Sequence, residues 1–511
     1  MIPEDLLKSL YTRGSLENVG AGVQISLKNR LADATITQVC GLAIAGTEVD
    51  HSQITIRIRD GNVIQASTVT ESDPIVFPLG TVIDVIADRP ALEAGSAGIT
   101  VDVATTEFGQ LRFETEDEVS DGQHLIRIPR DRNDDYTEDA AQLRRSFVQE
   151  HTGVTLHHVP TYSVDPSITK GNIENFVGVA QVPMGLAGPM TVHGEHAKGD
   201  FIVPLATTEG TLVASYSRGM KVMNLSGGIS TTIVDDRMQR APAFVFADAR
   251  DARTFAHWVA DHTADIAEVA ESTGTRHRLL EIETYLAART AYLRFDFSTG
   301  DAGGQNIVSQ ATHTACRWIL DQYEGVDHFY LEANMATDKK ASQINILRTR
   351  GKRVIAEANV SRRALVEHMR VEPESLLHHH GIANVGSMLA GSNNNGLHAA
   401  NGLTALFIAT GQDVANVAES SAAILHAEPT ASGDLYMSIT LPSLIVATHG
   451  GGTQLATQAE SLQILGCLGT GKVGKLAEIA AALVLAGELS LAAAISSSDW
   501  VSSHEELGRN R

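Results

Sequence analysis

The feature that most constrains this fold is a change in residue pattern near position 130. Residues 15 to about 120 carry short β-branched runs in which apolar and polar residues alternate, such as QITIRIRDGNVIQASTV and GITVDVATTEFGQLRFET. A period of two is typical of strands with one buried face, and Asp60-Gly61 between two runs indicates a hairpin. We therefore expect a β-sandwich-like domain over residues 1–130.

A different pattern follows the charged, apolar-poor tract RIPRDRNDDYTED, which is typical of a linker. Beyond it, alanine-rich segments carry apolar residues at spacings of three and four, which predicts helices at Asp139 to Gln149, 251–274 and 277–291. Strands are expected at Ala243 to Ala247, Ala291 to Phe297 and His328 to Ala333. This part therefore reads as α+β.

Charge and composition exclude several classes of protein. The 511 residues carry a formal charge of −22, so a broad nucleic-acid-binding face is not expected. The start lacks the pattern of a signal peptide, and the apolar stretch from Leu483 to Ile495 is interrupted by Gly487, Glu488 and Ser490. We expect a cytoplasmic protein without a membrane span.

Cysteine and histidine spacing favours neither disulfides nor a metal centre. The three cysteines, Cys40, Cys316 and Cys467, are far apart and form no CxxC pair. The run His378 to His380 has no acidic or cysteine ligand beside it and is expected to be exposed. No metal is predicted.

Three ionisable residues stand among small and apolar neighbours. Glu209 lies in PLATTEGTLVASYSRGM, Lys339 in ATDKKASQIN and Asp413 in HAANGLTALFIATGQD. Desolvation and mutual charge in such settings shift proton affinity, as acid-base catalysis requires. Each residue taken alone is as compatible with a helix-end carboxylate or a solvated lysine pair, so only their combination indicates a site.

The motifs together resemble the 3-hydroxy-3-methylglutaryl-coenzyme A reductase family. NIENFVGVAQVPMGLAGPM, PLATTEGTLVASYSRGMKVMNLSGG, TDKKASQINILRTRGKRVIAEA, HAANGLTALFIATGQDVANVAESS, LPSLIVATHGGGTQL and the terminal SSHEE occur in the family's order and approximate spacing. The resemblance covers residues 139 to 505, is closer to the eukaryotic-type branch than to the shorter bacterial one, and leaves the first 120 residues outside.

The resemblance implies two hydride transfers from NADPH to a thioester carbonyl, with release of free coenzyme A. Lys339 would stabilise the developing oxyanion, and Glu209 would relay a proton to the reduced oxygen. Asp413 would hydrogen-bond with both in one buried cluster that titrates as a unit. His504, in a C-terminal flap, would protonate the departing thiolate.

The resemblance also implies binding residues. In the cofactor loop, Asp301, Gly304 and Asn306 match the family, while glycine and glutamine replace two methionines, so NADH remains possible beside NADPH. The substrate set implied by the family is Asn175, Arg218, Arg240, Asp338, Lys340 and Asn401.

Two positions of the acyl pocket depart from the family. A serine that would help to hold the distal carboxylate falls on Glu332, and a lysine falls on Ile382. Both changes disfavour an anion. Either the acyl tail differs from hydroxymethylglutaryl, or the register of the alignment slips in this tract.

The implied architecture is an α+β multidomain chain. A large α/β domain over 131–241 and 333–490 would carry an inserted small nucleotide-binding α+β subdomain over 242–332, followed by the flap over 491–511. Family active sites form between subunits, with Lys339 supplied by the neighbour, so a homodimer or larger homo-oligomer is expected. The leading function is reduction of 3-hydroxy-3-methylglutaryl-CoA to mevalonate. The alternatives are the same reduction of another acyl thioester, or a non-catalytic acyl-CoA or nucleotide sensor.

Overall fold

The chain divides near the charged tract into two units, Met1–Arg127 and Ile128–Arg511. The structure is a computed structural model that describes residues 4–20, 22–58, 62–119, 128–131 and 133–497. His504, the flap beyond residue 497 and the Asp60-Gly61 turn lie outside the described residues.

The first unit is built from strands. Its described elements are α1 Glu4–Lys8, β1 Glu17–Val19, β2 Gly22–Lys28, β3 Ala34–Ile44, β4 Thr47–Glu48, β5 Ile54–Ile58, β6 Val63–Gln65, β7 Ile75–Phe77, β8 Val82–Ala87, β9 Gly95–Thr105 and β10 Gly109–Val119. Short 3-10 helices cover His51–Gln53 and Ala66–Thr68. One sheet has the order β1-β2-β8-β5-β6, and the other has the order β10-β9-β3-β4 with β7 paired to β3.

These two sheets enclose one apolar core. Burial alternates along β2 and β8, as the period of two predicts, and the core contains residues from both sheets, among them Ile25, Ile83, Ile99 and Phe113. β5 and β6 pair antiparallel on either side of the predicted turn. The unit is a sandwich of two sheets.

The second unit alternates helices with longer strands. Its strands are β11 Met184–His193, β12 Lys198–Ala206, β13 Ile229–Arg240, β14 Ala243–Val245, β15 Arg278–Ala287, β16 Thr290–Ser298, β17 His328–Tyr330, β18 Gly351–Val360, β19 Ile424–Pro429 and β20 Leu435–Leu444. Its helices are α2 Glu138–Thr152, α3 Leu212–Leu225, α4 Ala249–Asp261, α5 Thr263–Glu271, α6 Gln305–Gln322, α7 Gln343–Arg348, α8 Arg362–Met369, α9 Pro373–Leu389, α10 Ala399–Thr410, α11 Val417–Ser420, α12 Ala456–Ile464 and α13 Val473–Ser496. Short 3-10 helices cover Pro166–Thr169, Val414–Asn416 and Gly451–Gln454.

The large sheet is mostly antiparallel. Its main path runs β17-β14-β16-β13-β18-β20-β19, with β11, β12 and β15 attached beside it. Among the described pairs, only β11 and β13 run parallel. The expectation of an α/β arrangement for the large domain is therefore wrong, because neighbouring strands here pair mainly as antiparallel ladders rather than βαβ crossovers. The α+β class holds.

A separate apolar core lies between residues 238 and 329, joined by Ile445. It packs α4, α5 and α6 against β14 and β16. The helix predicted over 277–291 is wrong, since these residues form β15, the following turn and the start of β16, and β15 pairs with β16 along its length. RLLEIETYLA is short and ambiguous in period, so tertiary strand pairing decided its conformation. The helix predicted over 251–274 is two helices, α4 and α5.

Helix α13 is the buried axis of the second unit. It is long and apolar enough to cross a membrane, but 83% of its most apolar window is buried inside the fold. It extends to Ser496, so the first residues of the expected flap belong to this helix. A Cβ at Gly219 of α3 would overlap the carbonyl of Ala486, and one at Gly487 would overlap Tyr216. Glycine at these positions permits the close approach of the helices.

Two fully buried glutamates on α13 bond to backbone N–H groups. Glu478 accepts the N–H groups of residues 195, 196 and 197 at 3.0, 2.9 and 2.6 Å. Glu488 accepts those of residues 397, 398 and 399 at the start of α10, at 2.7–3.0 Å. Burial raises the pKa of Glu488 to about 7, although these hydrogen bonds favour its charged form. The two carboxyls connect α13 to a hairpin turn and to α10.

Replacing Glu478 should destabilise the protein. Glu478→Ala removes the acceptor of three backbone donors, and we expect a loss of about 2 to 4 kcal/mol in the free energy of unfolding. Urea unfolding followed by circular dichroism measures this loss. Glu460→Ala, at an exposed position of α12, is the control and should change stability little. Equal midpoints for the two variants would contradict the role given to Glu478.

Candidate active site

Lys339 and Asp413 form an ion pair between two loops. Lys339 lies between β17 and α7, and its Nζ is 2.9 Å from Asp413 Oδ2. Asp413 follows α10 and also accepts the N–H of Ala415 at 3.1 Å, which caps the 3-10 helix Val414–Asn416. The structure brings these two predicted residues together. Their side chains are 43% and 44% exposed, so the expected burial is wrong for the single chain.

The charge of Lys339 is stabilised locally. The hydrogen bond with Asp413 raises the pKa of Lys339 above its usual value, and the charges of Asp413, Asp338 and Glu419 raise it further against partial burial. An ammonium with a raised pKa stays protonated at neutral pH. It can therefore act as a fixed positive charge toward a developing oxyanion.

Glu209 lies apart from this pair in the single chain. It is exposed in the turn between β12 and α3, and its N–H donates to Thr207 Oγ1 at 3.0 Å. No ion pair joins Glu209 to Lys339 among the described residues. Burial, and to a smaller extent the charges of Glu488 and Glu209, raise the pKa of Tyr216 of α3, whose hydroxyl donates to the carbonyl of His398. One chain thus brings together two of the three groups that were predicted to form the catalytic cluster.

The loop that carries Lys339 has an unusual backbone. Asn334, Thr337 and Lys339 have φ angles of 64°, 55° and 56°, in the left-handed region that residues other than glycine seldom adopt. Asp338 Oδ1 accepts a hydrogen bond from Arg350 at 2.7 Å and another from Gln305 at 2.9 Å.

Two further residues predicted to bind substrate, Lys340 of this loop and Asn401 of α10, differ in exposure. Lys340 is exposed, and its Nζ donates to the carbonyl of Asp338 at 3.1 Å. Asn401 of α10 is half-buried, and its side chain bonds to a ring nitrogen of His398 at 3.1 Å. Neither contact uses the whole hydrogen-bonding capacity of the side chain.

Arg240 forms an ion pair with Glu332, the position at which a family serine was expected. Its Nη1 lies 3.0 Å from Glu332 Oε2, and its Nη2 bonds to Ser309 Oγ at 2.6 Å and to the carbonyl of Gln305 at 3.3 Å. The Nε of Arg240 is buried without a partner. The guanidinium expected to hold a substrate carboxylate therefore already has a carboxylate beside it.

The predicted cofactor loop precedes α6. Asp301 accepts the N–H groups of residues 471, 472 and 473, so it caps the start of α13. Gly304 has a φ of 81°, and a Cβ there would overlap Thr299. Among the described residues, no side chain caps the start of α6, and Asn306 in its first turn is exposed. The uncapped N-terminus of this 18-residue helix fits an anionic group.

The two residues predicted to contact coenzyme A do not meet in the described contacts. Arg218 of α3 donates to the Oγ and the carbonyl of Ser490 at 3.1 and 2.7 Å. Asn175 has a φ of 51°, and its Oδ1 is buried with no hydrogen-bond partner among the residues described. An unpaired buried acceptor with a strained backbone is common at binding sites, which is compatible with a ligand at Asn175.

One cluster has the geometry of metal ligands. Among the described residues, Glu195, His196 and Glu478 place potential ligand atoms within 4.8 Å of one another. The Glu478 carboxylate already accepts backbone N–H groups from this turn. We interpret the cluster as a structural contact that holds this turn to α13. The histidine run lies on α9, with His379 and His380 half-buried rather than exposed as expected.

Sequence reasoning missed a buried layer behind Lys339. Glu419, Arg350 and Gln305 contact residues 338 and 339, and Glu419 and Arg350 are fully buried. Glu419 lies in the segment VANVAESS, and Arg350 lies in INILRTRGK. In the sequence, each of these two residues is a charged residue within an apolar motif. Such a pattern does not by itself show whether the charge is exposed or paired.

Sequence reasoning also missed His398. It stacks on Tyr216 with ring centroids 4.7 Å apart, and burial lowers its pKa to about 4. The imidazole is therefore neutral at physiological pH. It lies at the start of α10, between Ser215 and Asn401, and contacts both.

The burial of His398 predicts a pH dependence of stability. The folded chain keeps this imidazole neutral down to about pH 4, whereas the unfolded chain protonates it below about pH 6.5. The free energy of unfolding should fall as pH falls through this window, by up to about 3 kcal/mol. Urea unfolding between pH 4 and 7 should show a shallower fall for His398→Gln than for wild type. His257→Gln, at an exposed position of α4, should keep the wild-type slope.

Comparison with known proteins covers both units of the chain. The family model described as hydroxymethylglutaryl-coenzyme A reductase matches residues 140–509. A second model, described as the N-terminal domain of hydroxymethylglutaryl-CoA reductase, matches residues 6–120. The expectation that the first 120 residues lie outside the family is therefore wrong. Their strand pattern matches a domain of the same family.

Relatives of known name match the second unit. The 3-hydroxy-3-methylglutaryl-coenzyme A reductase of Pyrococcus horikoshii is 44% identical over 378 residues, covering 72% of this chain and 92% of the relative. The enzyme of Methanocaldococcus jannaschii is 40% identical over 377 residues, covering 72% and 93%. Reductase 1 of Arabidopsis thaliana is 37% identical over 383 residues, covering 73% and 64%.

A solved structure shares the fold at lower identity. The class II 3-hydroxy-3-methylglutaryl-CoA reductase of Streptococcus pneumoniae, bound to NADPH in open conformations, aligns with a TM-score of 0.54. It is 19% identical, and the alignment covers 69% of this chain and 82% of that one. From the ordered motifs, the matched models and the relatives together, the chain belongs to the hydroxymethylglutaryl-coenzyme A reductase family.

Proposed function

We propose that this protein reduces 3-hydroxy-3-methylglutaryl-CoA to mevalonate and free coenzyme A, with two NADPH consumed per turnover. The observation that carries the proposal is the Lys339–Asp413 pair at 2.9 Å, on the two loops that hold the family's TDKK and GQD motifs. Family membership and the NADPH-bound relative support the same reaction.

Lys339 would stabilise the negative charge that develops on the thioester oxygen. Asp413 fixes the position of the ammonium and, by raising its pKa, keeps it charged. Such a preorganised charge lowers the energy of the transition state, because no reorganisation is needed as the oxyanion forms. The two groups would serve both reduction steps, from thioester to hemithioacetal and from aldehyde to alcohol.

Glu209 would relay a proton to the reduced oxygen, and His504 would protonate the thiolate of coenzyme A as it leaves. Glu209 lies apart from Lys339 in the single chain, so we place it in a site completed by the Lys339 and Asp413 of a second copy. A carboxyl at such an interface would be shielded from solvent and could exchange a proton with a bound substrate.

NADPH would supply the two hydride ions. We assign its binding to the loop before α6, where the helix N-terminus has no side-chain cap and Asn306 is exposed. Asp301 would hold this loop against α13 rather than contact the cofactor itself. The subdomain that carries α4 to α6 has its own core, which supports its assignment as the nucleotide-binding part of the chain.

Arg240 and Lys340 would bind the distal carboxylate of the substrate. Lys340 is exposed and Arg240 points its charge at Glu332. Substrate binding would have to displace Glu332 from Arg240 or share the guanidinium with it. Arg218 and Asn175 would contact coenzyme A, and Asn401 the acyl group.

A second copy of this chain is the proposed partner. Helix α9 carries apolar side chains at Ile382, Val385, Met388 and Leu389 that are 53% to 81% exposed. An exposed apolar stripe of this kind is typical of a protein interface. Ile382, where the family has a lysine, adds to the stripe instead of to the acyl pocket. A homodimer would complete the catalytic set.

We also propose a cytoplasmic location, which the three free cysteines support.

A different acyl thioester is the second candidate substrate, because Glu332 neutralises Arg240. We expect wild-type protein to oxidise NADPH with hydroxymethylglutaryl-CoA in preference to 3-hydroxybutyryl-CoA, which lacks the distal carboxylate. Glu332→Ser should lower the KM for hydroxymethylglutaryl-CoA by about 3- to 10-fold, since it frees the guanidinium. The KM for 3-hydroxybutyryl-CoA is the internal control and should not change. A wild-type preference for 3-hydroxybutyryl-CoA would favour the second candidate.

Mixing inactive variants tests the shared site. Glu209→Ala and Lys339→Ala should each lose turnover as pure proteins, and an equal mixture after subunit exchange should recover about a quarter of wild-type activity, because half of the dimers then hold one complete site. Mixing Lys339→Ala with Asp413→Ala should recover nothing, since both groups come from one chain. Recovery in the control mixture, or none in the first although exchange has occurred, would contradict the shared site.

A further inference from the structure

The backbone of Lys339 needs a restraint that its own sequence does not provide. A φ of 56° costs a residue with a side chain about 1 kcal/mol or more relative to the right-handed region. The neighbouring Thr337 has the same sign of φ, and no glycine relieves the turn TDKK. A loop of this kind keeps one conformation only where surrounding groups hold it.

Glu419 provides such a restraint on the backbone. Its side chain is fully buried on α11, and Oε1 accepts the N–H of Lys339 at 3.0 Å. The same oxygen accepts the Nε of buried Arg350 at 3.4 Å. Arg350 in turn bonds to Asp338 at 2.7 Å and to the carbonyl of Gln239 at 3.1 Å. Two consecutive residues of the loop are therefore held by one buried pair.

The same chain segment holds Lys339 at both ends. Asp413 binds the ammonium, and Glu419 binds the backbone N–H. Only the 3-10 helix Val414–Asn416 and the first turn of α11 separate the two carboxylates. Between them, the Oδ1 of Asn416 accepts from the side chain of Gln305, which also donates to Asp338. A movement of this segment would move the reactive nitrogen.

Stability does not account for a carboxylate at this position. Burying an ion pair costs desolvation that its attraction often fails to offset. The Oε2 of Glu419 is buried and has no hydrogen-bond partner in the part of the chain that the structure describes, which adds to that cost. Burial also raises the pKa of Glu419 against the effect of Arg350 and the Lys339 N–H. The cost of burying this carboxylate points to a role beyond stability.

We propose that Glu419 is a positioning residue for the reduction, which holds the backbone of Lys339 in its left-handed conformation so that the ammonium meets the thioester oxygen. This inference rests on the proposed function. It predicts that the position of Glu419's oxygen controls turnover and hardly affects substrate binding.

Three substitutions of Glu419 and one control test the proposal by steady-state kinetics per folded subunit. Glu419→Asp keeps the charge but withdraws the oxygen by about 1.5 Å, so kcat should fall at least about 10-fold with KM changed less than about 3-fold. Glu419→Gln keeps an acceptor oxygen at full reach and should retain most of kcat. Glu419→Ala should lose about 100-fold in kcat.

Glu478→Ala is the matched control, because Glu478 is equally buried and also bonds to backbone N–H groups, yet belongs to another turn. It should lose stability but keep kcat. If Glu419→Ala does not fold, the Asp and Gln variants decide. Wild-type kcat in Glu419→Asp, or an equal loss of kcat in Glu478→Ala, would overturn the proposal. Failure of the proposed function is separate, since it would appear as wild-type protein that consumes no NADPH with hydroxymethylglutaryl-CoA.

Discussion

Carboxylates bonded to backbone N–H groups hold several turns and helix starts of the second unit in place. Glu478 holds a hairpin turn, Glu488 the start of α10, Asp301 the start of α13 and Glu419 the backbone of Lys339. Each bond satisfies donors that would otherwise be unpaired, and the negative charge suits the partial positive charge at a helix start. Because three of these carboxylates are fully buried, their loops have little freedom to move. The geometry around Lys339 depends on one of these restraints, the bond from its N–H to Glu419.

The site itself combines a fixed charge with incomplete surroundings. Lys339 and Asp413 form a pair in one chain, while Glu209 stays exposed and separate. A half-exposed ion pair contributes little to stability, so its geometry is better explained by chemistry than by folding. Arg240, in contrast, already has the carboxylate of Glu332 beside it. The single chain therefore presents the charge proposed for the carbonyl end of the substrate, while the charge proposed for the acyl end is neutralised.

Much of the fold could be predicted where one pattern dominated. The sandwich followed from alternation over long strands, and α2 followed from its helical spacing. The helix predicted over 277–291 is wrong because a short apolar run fits the period of a helix or of a strand. Pairing with β16 decided that this segment is a strand. The buried layer of Glu419 and Arg350 could not be predicted, since pattern alone does not show that a charge is buried beside a partner distant in sequence.

The sequence by itself determined the family, the reaction class and the identity of the candidate catalytic residues, because ordered motifs carry that information regardless of how they pack. Only the tertiary structure decided which of these residues meet within one chain, that Asp301 caps a helix, and that Arg240 faces Glu332. The physical reason is that such contacts join residues from 74 to more than 160 positions apart. Their distances depend on how the intervening strands and helices pack, which local patterns of hydrophobicity and charge do not specify.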